Sequence, residues 1–395
     1  MPSPLRVHVI LSRVYGSASG PRRGPLFNGG FVSKGQRYPS ESREFADAAS
    51  GRRIRQITSH PSIHHYPFFF VPAYDRAMRR LIFVSYRTGL PQIFFEDRAT
   101  GELVQATDRA DLADWSIIPS GDGRHVYFTA GTSGWRVDLD TLKEEQLADF
   151  GAVEMREKGM VGAAMGTTAL SASGRWWAVP VKAGSVTRFV LVDTERKTTR
   201  VFLERDTIGH PQFCPDDDDL ILYAGPLTDR VWLTDRSGEK NRRLYERKDK
   251  MQWVTHEVWV PGRRTVAFVD WPRGMQMIDV NRGVVRLLTS FPAWHAAPDD
   301  AGERFVCDSN FPDRGLHTFD VDGDPTDEEE VKLLCASEAS SEGKHWGGPF
   351  PYNEGPVPVE AAQHTHPHPR FSPDGSRVVF TSDKTGHAQI YEVIL

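Results

Sequence analysis

The sequence predicts an all-β protein, a seven-bladed β-propeller whose ring is closed by an N-terminal strand completing the C-terminal blade. Three observations carry this expectation. A turn rich in Pro, Asp and Gly, then an apolar strand, then a strand ending in Asp or a related polar residue, recurs seven times from residue 70 onward. Most repeats run roughly 40–50 residues, the period of four-stranded blades. The last repeat stops after its third strand, while an orphan strand at 52–58 precedes the first.

The units follow in order. The first has a degenerate turn, Val71-Pro72-Ala73-Tyr74-Asp75, with Phe94-Phe95-Glu96-Asp97 behind it. The second and third carry Pro119-Ser120-Gly121-Asp122-Gly123 and Ser171-Ala172-Ser173-Gly174. Cys214-Pro215-Asp216, Val260-Pro261-Gly262, Pro298-Asp299-Asp300 and Ser372-Pro373-Asp374-Gly375 mark the other four. Between these turns lie alternating Val, Ile, Phe and Trp, which fit a half-buried pleated surface, and no sustained helical period appears. The orphan strand resembles the fourth strands at 102–107 and 284–289, and pairing it with the last blade would leave no open sheet edge. An open array of antiparallel sheets is the competing arrangement.

Residues 1–44, rich in Gly, Pro, Ser and Arg, read as a disordered leader or an over-extended gene start, with a targeting peptide as the alternative. Residues 45–395 read as one propeller domain. Its period is broken by an insertion at about 322–362, either a plain surface excursion or a lid.

Composition narrows the function. A net charge of −5 gives no global basic field for nucleic acid. Three widely spaced cysteines with no CxxC argue against a disulfide scaffold and for a reducing compartment. No apolar run reaches the ~18 residues of a membrane span. Neither a GxSxG elbow nor a GxxxxGK[ST] loop is present, so serine hydrolase and P-loop chemistry lose support.

The histidines are more telling. The first strand of each blade lines the channel, and in that register His210, His256 and His368 each stand five residues before a proline. His295 stands three before Pro298, and His366 two before His368, on the same face if the chain is extended. Four consecutive blades thus aim imidazoles at one mouth, and His64 and His65 add a contribution from the first. A set of His295, His366, His368 and Gln363 carries no protein charge, so a cation held there would stay strongly Lewis acidic. Three imidazoles point to zinc, whereas the amide oxygen tilts the expectation toward manganese. Arg230 is either half of a surface ion pair with Asp229 or Asp235 or a guanidinium held near the mouth for a carboxylate.

At these residues the chain resembles the oligogalacturonate lyases. The matching segments are Gly209-His210-Pro211, Arg230-Val231-Trp232-Leu233, Thr255-His256-Glu257-Val258-Trp259-Val260-Pro261, the stretch from Leu288 to His295, and Gln363-His364-Thr365-His366-Pro367-His368-Pro369. The resemblance implies a seven-bladed, typically cytoplasmic enzyme that cleaves short oligogalacturonides by β-elimination to 4,5-unsaturated products. It implies that His295, Gln363, His366 and His368 bind a divalent metal, Mn in that family, with Zn or another transition metal as alternatives. It further implies that His256 is the Brønsted base and Arg230 a charge-stabilising partner. From their place on the inner strands, His210 and His64 are expected to face an anionic uronic-acid oligosaccharide. The competing readings are a lyase for another uronide, a metal-dependent hydrolase, and a non-catalytic propeller that binds protein. No nucleic-acid or membrane partner is expected.

Overall fold

A computed structural model describes residues 33–151, 166–309, 312–340 and 365–395. They form seven antiparallel sheets, each ordered from an inner strand outward. Blades 1 to 6 occupy 64–105, 118–149, 169–205, 209–245, 253–289 and 293–335, and blade 7 is built on 370–394. Among the described residues no helix is long and apolar enough to cross a membrane.

The repeated turn chemistry explains why the chain folds back where it does. Where the third strand of a blade ends in Asp, that carboxylate accepts from backbone N–H groups two or three residues on, closing an Asx turn. Asp138 takes Asp140 N at 3.0 Å and Thr141 N at 2.9 Å, and Asp193 takes Arg196 N at 3.0 Å. Asp279 takes Arg282 N at 2.8 Å. At the inner turn of blade 7, Ser372 Oγ donates to Asp374 Oδ1 at 2.6 Å, and Gly375 sits at φ 66°, a backbone that a Cβ would strain.

The ring closes as the orphan strand suggested. Arg53–Gln56 pairs antiparallel with the last strand, Ile54 opposite Val393 and Gln56 opposite Tyr391. A buried ionic knot reinforces the join between blades 7 and 1. Glu392 takes Tyr74 Oη at 2.6 Å, Arg98 Nη1 at 2.7 Å and Arg55 Nη1 at 3.3 Å. Arg55 and Arg98 also grip Glu96, and both glutamate side chains are fully buried. Removing one partner strands charges out of water, so Glu392→Ala is expected to lower stability by about 3–5 kcal/mol. Chemical denaturation checks this: a loss below about 1 kcal/mol would mean the knot is solvated and weak.

Two boundaries differ from expectation. Arg37–Tyr38 adds a fifth strand to blade 1 beside Leu103–Gln105, and Arg43–Ala46 a fifth to blade 7. Residues 37–44 therefore belong to the propeller rather than to a leader ending at 44; residues 1–32 lie outside the described chain. The expected insertion also starts later than 322, because Lys332–Cys335 is the fourth strand of blade 6. Charged sequence around that strand masked its short apolar core, Leu334 and Cys335. The stretch 341–364 lies outside the described residues.

After the two-residue inner strand of blade 1, the chain runs through Phe68, Phe69 and Phe70, which are buried in the channel. Their rings meet at 4.8 to 5.2 Å and form an aromatic floor under the imidazoles.

Candidate active site

The inner strands of blades 4, 5 and 6 do not run straight. Their pairing with the second strand slips at His210-Pro211, at His256-Glu257 and at Trp294-His295. Such bulges re-aim side chains at the cost of ladder bonds. His210, His256 and His368 have φ of 46°, 51° and 47°, a left-handed backbone that non-glycine residues rarely adopt. Strain of this kind, about 1–3 kcal/mol a residue, persists where surrounding contacts fix it and clusters at functional sites. His366 and His368 precede the strand Arg370–Phe371 rather than lying in it. They converge through the kink at His368, not through the strand pleat that their spacing suggested.

His295, His366 and His368 are buried and offer ligand nitrogens within 4.8 Å of one another. Their ring centroids lie 4.1 Å (His295–His368), 5.2 Å (His295–His366) and 5.4 Å (His366–His368) apart. His368 Nε2 is buried with no hydrogen-bond partner among the described residues, an orphan that a cation would satisfy. Three neutral imidazoles suit a divalent transition ion. Gln363 lies outside the described residues.

Asp308, on the second strand of blade 6, organises this set. Its Oδ1 accepts from His295 N at 2.6 Å, its Oδ2 from His295 Nδ1 at 2.9 Å and from His368 N at 3.2 Å. The bond to Nδ1 makes that nitrogen the donor and turns Nε2 toward the other imidazoles, the usual carboxylate–histidine arrangement behind a metal. Burial pushes the Asp308 carboxyl well above the ordinary range, against the backbone N–H bonds it accepts. A cation held by His295 would oppose that push.

His256 lies next along the arc, its ring 4.4 Å from that of His295. Its Nδ1 is 2.6 Å from the Trp294 carbonyl oxygen. A carbonyl only accepts, so Nδ1 carries the proton and Nε2 keeps its lone pair. Burial, then the neighbouring His295, His210 and Arg230, hold its pKa well below 6.5, so the ring is neutral near pH 7.

Arg230 is buried, not a surface residue paired with Asp229 or Asp235. Its Nε donates to Glu257 Oε2 at 3.2 Å, and its Nη2 to His210 Nδ1 at 3.0 Å. Burial alone would raise the Glu257 pKa, but the Arg230 charge and the His210 contact outweigh it and bring it to about 2. Glu257 is therefore ionised at any working pH and fixes the Arg230 guanidinium beside His210, whose ring stands 6.1 Å from that of His256.

Sequence reasoning missed Asp308 and Glu257, having treated acids as turn or surface residues, and missed the phenylalanine floor. Phe68 lies 4.9 Å from His368 and 5.2 Å from His210, and Phe69 5.4 Å from His256. A run of three Phe between a strand and its turn was the available signal. His64 is corrected outright: its Nε2 bonds Ser62 Oγ and the His60 carbonyl at 3.2 Å each, away from the cluster. Adjacent strand residues face opposite ways. His65 is the channel-side member, its ring 4.2 Å from that of Trp115, which in turn packs 5.8 Å from His368.

The family model for oligogalacturonate lyase matches residues 181–395, more than half of the chain. The oligogalacturonate lyase of Dickeya dadantii (strain 3937) is 24% identical over 391 residues, covering 91% of this chain and 97% of that protein. The oligogalacturonide lyase of Pectobacterium atrosepticum is 24% identical over 387 residues, with the same shares of each. A solved oligogalacturonate lyase in complex with manganese has a TM-score of 0.78 at 22% identity, over 92% of this chain and 98% of that one. Another, from Vibrio parahaemolyticus, has a TM-score of 0.76 at 20% identity, with the same coverage. These two likenesses establish the seven-bladed fold. On the family match, which spans blades 4 to 7 and every imidazole of the cluster, the chain belongs to the oligogalacturonate lyase family.

Proposed function

We propose that this protein is a metal-dependent lyase that cleaves short oligogalacturonides by β-elimination, with His256 removing the C5 proton of a uronate. The observation that carries the reading is the juxtaposition of two kinds of histidine. Three converge as a ligand set, while a fourth, 4.4 Å away in ring centroid, is kept neutral by burial and oriented by the Trp294 carbonyl.

The chemistry needs both. The C5 proton is weakly acidic, because the adjacent carboxylate already bears the charge that a carbanion would place on it. His295, His366, His368 and Gln363 would hold a divalent ion, which would supply positive charge to that carboxylate; one solved relative is in complex with manganese. His256 Nε2 then takes the proton, and desolvation by Phe69 keeps the imidazole in its basic form. Arg230 offers a guanidinium to the same or a neighbouring carboxylate. Glu257 keeps that guanidinium oriented, and His210 lines the adjoining wall. Membership of a lyase family leaves the non-catalytic propeller reading without support.

The test uses the metal-replete protein and digalacturonate. The conjugated 4,5-unsaturated uronide should appear as ultraviolet absorbance, vanish with a chelator and return with Mn2+. No absorbance on any pectic oligomer would overturn the assignment. A second reading, a different uronide, is favoured by one observation: the family match begins only at residue 181, inside blade 3. A panel of uronic-acid oligomers in the same assay separates the two.

A further inference from the structure

We propose that the mouth of the channel opposite the imidazoles is a second binding site, for a small monocarboxylate such as a free hexuronate, with Arg370 as its anchor. A cavity of about 610 Å³ opens there, in the size range of small-molecule sites. Its rim is the ring of turns that follow the inner strands, where Pro72, Pro119, Pro215, Pro261, Pro298 and Pro373 repeat around the axis. These turns are stiff in φ, and their prolines offer no N–H. The phenylalanine segment stands between this cavity and the active site: Phe68 and Phe69 touch the imidazoles, Phe70 packs on His210 and also lines the cavity, and Val71 lines it too.

Arg370 is the feature that asks for a ligand. It follows His368 by two residues and lines the cavity. Its Nη1 donates to the Phe69 carbonyl at 3.1 Å, and among the described residues no carboxylate lies within ion-pair distance of it. A guanidinium has five N–H donors, so most of its capacity is unspent. Arg370 is half-buried, whereas the fully buried Arg230 is paired with Glu257.

The lining selects the charge of the guest. It carries Arg370 and Arg76 against Asp216 and Asp300, the last three exposed at the rim. A monoanion meets the half-buried guanidinium after passing a rim of balanced sign. A dianion such as inorganic phosphate would bring a second charge toward the two aspartates. Phe70, Trp259 and Phe371 give the walls apolar faces that a sugar ring can cover.

The experiment titrates metal-replete protein with D-galacturonate, galactose and inorganic phosphate by calorimetry, for the wild type and for Arg370→Gln. Galacturonate should show a component that weakens at least tenfold in Arg370→Gln, whereas galactose should not bind and phosphate should bind at least tenfold more weakly. Galacturonate binding unchanged in the variant, or matched by galactose or phosphate, would refute the proposal. A crystal of the wild-type protein soaked in galacturonate gives the answer independently of the variant's folding. Density on the Arg370 guanidinium supports the site, and density among the imidazoles alone removes it. The titration reads binding rather than turnover, so its failure is distinguishable from failure of the lyase assay.

Discussion

Replacing His256 by alanine is expected to lower kcat on digalacturonate by about 10²- to 10⁴-fold, the range supplied by a positioned general base. Metal content should stay unchanged. The two readouts separate because Asp308, not His256, holds the ligand set in register. With Nδ1 committed to the Trp294 carbonyl, Nε2 is the one atom of the ring able to receive a proton. Alanine keeps the Cβ and the left-handed backbone at φ 51°, so the variant should lose the base without new freedom in the inner strand. The pH profile supplies a second check. Burial, then His295, His210 and Arg230, depress the His256 pKa, so the neutral form persists below pH 6.5 and the acid limb of kcat/KM should fall below that value. A rate loss under tenfold would remove His256 from proton transfer. Loss of metal along with activity would make it a structural member of the ligand set.

Much of this was legible in the sequence because propellers repeat. A turn of Pro, Asp and Gly fixes where each inner strand ends, and counting back five residues locates His210, His256 and His368 at one level. The hairpin aspartates were legible for a local reason, since an Asx turn needs only its own next three residues. What stayed hidden depends on long-range contacts. Arg230 and Glu257 are 27 residues apart in different blades, and a lone Glu after a His carries no mark of burial. Asp308 sits where a second strand would usually carry an apolar side chain, and its partners come from His295 and from His368, 60 residues on. The choice between His64 and His65 was beyond periodicity, because a two-residue strand has no alternation to count. The left-handed kinks were equally invisible: a histidine gives no local hint of positive φ as a glycine does. They are set by the packing of four blades around one phenylalanine floor.

That dependence on Asp308 yields the other large effect. His295→Ala should abolish stoichiometric divalent-ion binding and bring activity on digalacturonate to the chelator-treated level, and excess Mn2+ should not restore it. Asp308→Asn should act differently, because every imidazole remains. An asparagine at 308 has one acceptor oxygen in place of two, and its amide nitrogen donates where His295 Nδ1–H and His368 N–H also donate. In that orientation both donors lose their partner, since both bond Asp308 Oδ2, the His295 ring is no longer fixed with Nε2 forward, and metal affinity should fall about 10- to 100-fold. The remaining ligands can still be filled by mass action, so activity of Asp308→Asn should recover as Mn2+ is raised. Metal analysis after dialysis, with activity measured against Mn2+ concentration, separates the two variants. Full metal retention by His295→Ala would place the ion elsewhere, and an Asp308→Asn enzyme that no Mn2+ concentration rescues would make Asp308 a ligand or a proton carrier in its own right.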